Sequence, residues 1–97
     1  MIDPTTFSDI LNYMSSLIVK GRYVLSGNNV DVDILSKAIS GNTLTVNIFL
    51  ADGQAGTVTD IKLIKPNGQV FSDKPDSITK LATQGVLVIF KFTIMEV

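Results

Sequence analysis

Hydrophobic and polar positions alternate over much of the second half of the chain, as in half-buried β-strands. The clearest case is the segment 85–97, GVLVIFKFTIMEV, which is rich in β-branched and aromatic residues. If it is extended, its apolar face carries Val86, Val88, Phe90, Phe92 and Ile94. Thirteen extended residues span about 43 Å, so we expect this strand to bend across two sheets or to project towards another chain.

A different period, typical of an amphipathic helix, governs the N-terminal segment. Asp3 and Pro4 suit the start of a helix, and Gly21 suits its end. We therefore predict a helix of about four turns over residues 4–20. Its apolar face consists of Phe7, Ile10, Leu11, Met14, Leu17 and Ile18.

The middle of the chain predicts short strands separated by turn sequences. The predicted strands cover 22–26, 43–50 and 57–65, followed by two short strands at 70–71 and 77–81 with a break at 72–76. In the third strand, Ile61 and Leu63 share one face, while Val58 and Ile64 lie on the other. The segment 30–39 has features of both a strand and a helical turn, and the turn sequence at 40–43 favours the strand.

These elements predict one α+β domain over residues 1–97. An N-terminal amphipathic helix occupies 1–21, and a β-rich region occupies 22–97. Strands do not alternate with helices, so we expect a mostly antiparallel β-sheet or a small sandwich of five to six strands.

Composition adds constraints on partners. The chain of 97 residues is 45% hydrophobic and only 18% charged, so we expect part of its apolar surface to be buried against another subunit. Its net charge is −1 and its basic residues are scattered, which argues against nucleic acid or an anionic membrane as a partner. The start of the chain lacks the basic residues of a signal peptide, and the apolar run at 86–90 is too short for a membrane span.

Side chains suited to catalysis are scarce. The chain has no histidine and no cysteine, which excludes Ser-His-Asp and Cys-His sites. Asp31 and Asp33 share a strand face, where a solvated surface is a better interpretation than an acid–base pair. The segment 28–33 offers oxygen ligands but lacks the glycine and the distal glutamate of a calcium loop. We therefore expect no enzyme, no catalytic residue, no cofactor and no metal.

Binding surfaces are better supported than catalysis. The helix either packs on its own sheet or serves as an oligomerising surface. Phe49 lies opposite the apolar set of its own strand, which makes it a candidate anchor for a partner. The candidate interface residues are Phe7, Ile10, Leu11, Met14, Leu17, Ile18, Phe49, Phe92 and Ile94.

The segment 57–71, TVTDIKLIKPNGQVF, resembles a recurring pattern in small structural proteins of bacteriophage tails, baseplates and fibres. In that pattern a strand leads through an Asn-Gly or Asp-Gly turn into a short strand. The segment 76–80 and the closing strand resemble the ending of such proteins, and the N-terminal helix resembles their beginning. Pro66 departs from the pattern, which commonly has an acidic residue before the turn.

The resemblance implies a non-enzymatic structural protein of the virion, with no catalytic residue. It implies a homo-oligomer, with a trimer favoured, that contacts other virion proteins and is assembled in the bacterial cytoplasm. The alternative is a soluble module that binds a ligand or carbohydrate through loops at 52–56 and 72–76. A small enzyme is the third and least favoured hypothesis. An acidic pair in a deep pocket would support it.

Overall fold

The computed structural model describes residues 2–50, 55–81, 83 and 85–95. These residues form one helix, α1 (Pro4–Ser16), and seven strands. The strands are β1 (Lys20–Leu25), β2 (Asn28–Val32), β3 (Ile34–Ser40), β4 (Thr43–Leu50), β5 (Gly56–Ile64), β6 (Val70–Lys80) and β7 (Val86–Thr93). The predicted α+β class is confirmed, with seven described strands in place of the expected five to six.

The strands form two antiparallel sheets. One has the order β2-β1-β5-β6 and the other the order β3-β4-β7. Apolar side chains from both sheets share one core, which also includes Leu11 of α1 and Ile18 just after it. The helix packs against β3 and β4. The arrangement is therefore a small sandwich with the helix against its three-stranded sheet.

Helix α1 begins as predicted and ends four residues earlier. The Asp3 carboxylate accepts hydrogen bonds from the Thr5 backbone N–H and hydroxyl, and Pro4 occupies the first turn. Leu17 is the C-cap, and Lys20 already belongs to β1. Gly21 is a buried strand residue, so the prediction that it stops the helix is wrong.

The ambiguous segment 30–39 is extended throughout its length except at Asp33, which separates β2 from β3. The strand interpretation is therefore confirmed. Strand β4 has the predicted bounds, and the apolar set that it turns inward is fully buried: Leu44, Val46, Ile48 and Leu50. The predicted turn before β4 is present at Gly41 and Asn42.

A β-bulge interrupts the alternation along β5. Asp60 has a φ of 49°, and two residues of β5 oppose one residue of β1 at this point. The extra residue brings Val58 into the same core as Ile61 and Leu63. The prediction that Val58 faces away from those two residues is therefore wrong. Ile64 is also fully buried, but it lies outside that core.

Strand β6 is one continuous strand of 11 residues, so the predicted break at 72–76 is wrong. The pairing of β6 with β5 shifts register around Pro75, opposite the β5 bulge. Proline is tolerated there because β6 is the outer strand of its sheet and a bulge already interrupts the ladder. The strand predicted at 77–81 is the second half of β6.

Strand β7 differs from its prediction more than the other strands do. It covers eight residues instead of thirteen, and among the described residues it pairs only with β4. The inward face is confirmed, because Val88 and Phe90 are buried while Val86 and Phe92 pack against the core. Ile94 packs against the core of its own chain and Met95 is exposed. The predicted projection towards another chain at residues 96 and 97 falls outside the described residues.

Candidate protein-interaction surface

Three neighbouring apolar side chains remain exposed on the outer face of the β3-β4-β7 sheet. In the pairing of β4 with β7, Phe49 lies directly opposite Leu87, and Ile89 follows Leu87 on the same face. Their exposed fractions are 44% for Phe49, 51% for Leu87 and 43% for Ile89. We call these three residues the outer patch.

The Phe49 ring lies against the backbone at the start of β7. A Cβ atom at Gly85 would collide with that ring, so only glycine leaves room for it. Close packing over the glycine fixes the position of the ring in the outer patch. Phe49 was predicted as an interface anchor, and the structure places it on the surface, next to Gly85.

The outer face becomes polar beside the outer patch. Asn47 lies opposite Ile89, and its Nδ2 donates to the Ser36 hydroxyl at 2.9 Å. Asn47 Oδ1 is buried and accepts no hydrogen bond from the described residues. Further along the face, the Thr43 and Thr93 hydroxyls are 3.1 Å apart. The face therefore combines an apolar end with a polar end that offers hydroxyl and amide groups.

The predicted helical interface is divided between core and surface. Leu11 and Ile18 are fully buried in the core of the same chain, so they are not open to a partner in this fold. Phe7, Met14 and Leu17 are partly buried. Ile10 is 39% exposed, and the neighbouring Tyr13 is 66% exposed although the sequence did not single it out.

The two remaining interface candidates, Phe92 and Ile94, serve the fold. The Phe92 ring contacts the Phe71 ring edge to face, with centroids 5.4 Å apart, which links β7 to β6 across the two sheets. Ile94 packs against the core and exchanges hydrogen bonds with Asn42. Both side chains are partly buried within one chain.

Sequence reasoning missed Leu87 and Ile89 as surface residues. The available signal was the second face of the terminal strand, which starts with two large apolar residues before turning polar at Lys91. Register supplies the missing information, because only the pairing of β4 with β7 brings these residues beside Phe49.

The segment 28–33, which offers oxygen ligands for a cation, contains Asp31, whose carboxylate forms two ion pairs. Asp31 accepts from Arg22 Nε at 2.6 Å and from Lys20 Nζ at 2.9 Å, both on the neighbouring strand β1. These hydrogen bonds, the one from Arg22 first, lower the pKa of Asp31 to about 2. Among the described residues, no group of three acidic side chains is placed to hold a metal ion.

The loops proposed for carbohydrate binding receive no support from the described residues. The segment 72–76 lies within β6 and is not a loop. Residues 51–54 lie outside the described residues. In the described chain, the single helix is too short and too polar to cross a membrane.

Comparisons with known protein families, with curated proteins and with solved structures found no match to this chain.

Proposed function

We propose that this chain is a non-enzymatic structural protein of a phage particle, acting as a tail, baseplate or fibre attachment element. It works through contacts between copies of itself and with other virion proteins. The observation that carries this proposal is the outer patch. Its three apolar side chains stay exposed although both sheets already share a filled core.

The outer patch suits a protein partner better than a small ligand. It lies on a sheet face, and its residues belong to two hydrogen-bonded strands that hold them in fixed positions. Interfaces are typically built from such exposed apolar and aromatic anchors surrounded by polar groups. The hydroxyl and amide groups at the polar end of the same face are polar groups of this kind.

The location and the number of copies rest on the resemblance of the sequence to phage structural proteins. It favours a virion component, assembled in the bacterial cytoplasm, and a trimer. The genes that flank the coding sequence test this assignment directly. We expect them to encode tail, baseplate or capsid proteins, and a neighbourhood of metabolic genes would contradict the proposal.

The outer patch is tested by co-expression with the structural proteins encoded by those flanking genes. We expect the double variant Leu87→Thr/Ile89→Thr to lose at least about tenfold in affinity for its virion partner, since two exposed apolar contacts are removed. Threonine keeps the strand preference of these positions. Affinity is measured by titration of the purified partner.

The matched control is Val19→Thr/Val70→Thr, which changes two valines exposed to a similar extent away from the outer patch. We expect the control to bind as the unchanged protein does. Equal loss in both variants would show that general destabilisation, and not the outer patch, governs binding. Light scattering that finds a strict monomer at high concentration would contradict the proposed self-association.

A further inference from the structure

Strand β3 is an open edge. It is the outer strand of the β3-β4-β7 sheet, and every residue after Ile34 is exposed. An edge strand points half of its backbone N–H and C=O groups away from the sheet. No hydrogen bond among the described residues takes up those groups of β3. The strand is therefore available as a template for another strand.

The outer strands β2 and β6 of the other sheet carry features that discourage pairing, and β7, the second outer strand of this sheet, carries the exposed Lys91 and has its Ile89 carbonyl bound by Lys74. Strand β6 contains Pro75 and a register shift, and Lys74 reaches across from it to the Ile89 carbonyl of β7 at 2.9 Å. Strand β2 has only five residues and carries the charged Asp31. Strand β3, with the sequence ILSKAIS, has no proline, no glycine and no acidic residue. Strand β3 shifts register against β4 between Ile34 and Ser36 and pairs regularly from Ser36 to Ser40.

The single charge of β3 is directed to the helix. Lys37 Nζ donates to the backbone carbonyls of Ser15 and Ile18, each at 2.6 Å. A lysine that points outward from an edge strand normally blocks pairing. Here the ammonium group is engaged within its own chain, so it no longer protects the edge.

We propose that β3 pairs antiparallel with β3 of a second copy about a two-fold axis at Lys37. Leu35 then lies opposite Ile39 of the other copy, and Ser36 lies opposite Ala38 of the other copy. This register pairs apolar with apolar and small with small side chains. The two lysines at the axis face each other, but each ammonium group is bound by helix carbonyls of its own chain.

This inference rests on the proposed self-association and identifies the edge of β3 as the surface through which two copies bind. The two three-stranded sheets become one sheet of six strands, with both outer patches on the same face. The two β7 strands are then five strand spacings apart, about 24 Å. A two-fold pairing yields a dimer or an even-numbered assembly, in contrast to the trimer favoured by the resemblance.

Cysteine cross-linking tests the pairing, because the chain has no cysteine of its own. Antiparallel pairing about Lys37 brings position 36 of one copy opposite position 38 of the other. We therefore expect an equimolar mixture of Ser36→Cys and Ala38→Cys proteins to form a disulfide-linked heterodimer on mild oxidation. Each variant alone is expected to cross-link weakly, since its two cysteines are diagonal and about 7–8 Å apart.

The matched control is a mixture of Asn29→Cys and Thr93→Cys proteins, which places cysteines at exposed positions of β2 and β7. We expect no linked dimer there. Equal cross-linking in the control and test mixtures would overturn the proposal. Strong cross-linking of one β3 variant with itself would overturn the axis at Lys37.

Light scattering separates this inference from the proposed function. We expect Ser36→Lys/Ala38→Lys to weaken self-association at least about tenfold, because position 36 of one copy lies opposite position 38 of the other and like charges then meet directly, while Asn29→Lys has no effect. Circular dichroism verifies that each variant is folded. An oligomer unchanged by the β3 substitutions, or a trimer, overturns the edge pairing alone. A strict monomer overturns the proposed self-association as well.

Discussion

At the scale of single residues, Asp31 shows how one carboxylate links two strands. It lies on β2 and accepts from Arg22 and Lys20 of β1. Its side chain is 49% exposed, so water and salt screen both ion pairs. The contribution of these pairs to the stability of the fold is therefore best identified by its pH dependence.

The pKa of Asp31 predicts that dependence. Its value of about 2 in the folded chain lies below the ordinary value of 3.8, so the folded state favours the ionised carboxylate. The stabilisation is complete above about pH 5 and is lost progressively as the pH falls through about 4 to below 2, because half of the folded molecules are still ionised at the folded pKa. We expect Asp31→Asn to lower the melting temperature at pH 7, and we expect the difference from the unchanged protein to shrink to a small fraction of that size by pH 2. Thermal unfolding followed by circular dichroism measures both.

Asp33→Asn is the control, since Asp33 forms no ion pair with the described residues. We expect it to follow the unchanged protein from pH 7 to pH 2. A difference between Asp31→Asn and the unchanged protein that stays constant down to pH 2 would show that the ion pairs do not cause it.

At the scale of elements, the C-terminus of α1 depends on a distant strand. The helix has no glycine cap, and its C-cap Leu17 keeps a right-handed helical conformation. Lys37 of β3 donates to two carbonyls at this end and places a positive charge where the helix dipole is negative. The lysine therefore stabilises both the end of α1 and its position on the sheet.

We expect Lys37→Met to destabilise the protein by about 1 kcal/mol, because it removes two charge-assisted hydrogen bonds at a partly exposed site. Methionine keeps an unbranched apolar side chain out to the Cε position and lacks the ammonium group, so the loss reports on that group. Urea unfolding measures the difference, and the exposed Lys91→Met is the control. A loss of equal size in both variants would contradict a specific role for Lys37.

Local patterns predicted elements whose side chains follow a regular period, such as β4 and the start of α1. They failed where tertiary structure changes the period. The bulge at Asp60 adds one residue to β5. Strand β6 continues through Pro75 because it lies at the edge of its sheet, where proline is tolerated. Neither effect is local, since both depend on which strand lies alongside.

The candidate surface was predicted only in part for the same reason. Phe49 was identified from the alternation of one strand, while Leu87 and Ile89 required the register between two strands. On the helix, periodicity located the apolar face but did not show how deeply it is buried. Leu11 is enclosed by the core, whereas Ile10 next to it stays partly exposed.

At the scale of the whole molecule, the two sheets approach each other closely where β1 faces β4 at Gly21. A Cβ atom at Gly21 would lie 3.1 Å from Ile48 Cδ1 on the opposite sheet and 2.9 Å from Val32 Cγ1 on the neighbouring strand. Both distances are shorter than ordinary carbon–carbon contacts. The absence of a side chain at Gly21 therefore sets the separation of the sheets at this point.

We expect Gly21→Ala to destabilise the protein by about 1–3 kcal/mol, because the added methyl group overpacks the core. Ile48→Val removes the Cδ1 atom and alone costs about 0.5–1.5 kcal/mol. In the double variant the contact of the added methyl group with Cδ1 is relieved, while its contacts with Val32 Cγ1 and Ile48 Cγ2 remain. We therefore expect the double variant to be more stable, by at least about 0.5 kcal/mol, than the sum of the single effects implies. Urea unfolding of the four proteins measures this coupling, and additive losses would mean that Ile48 does not limit the approach of the sheets.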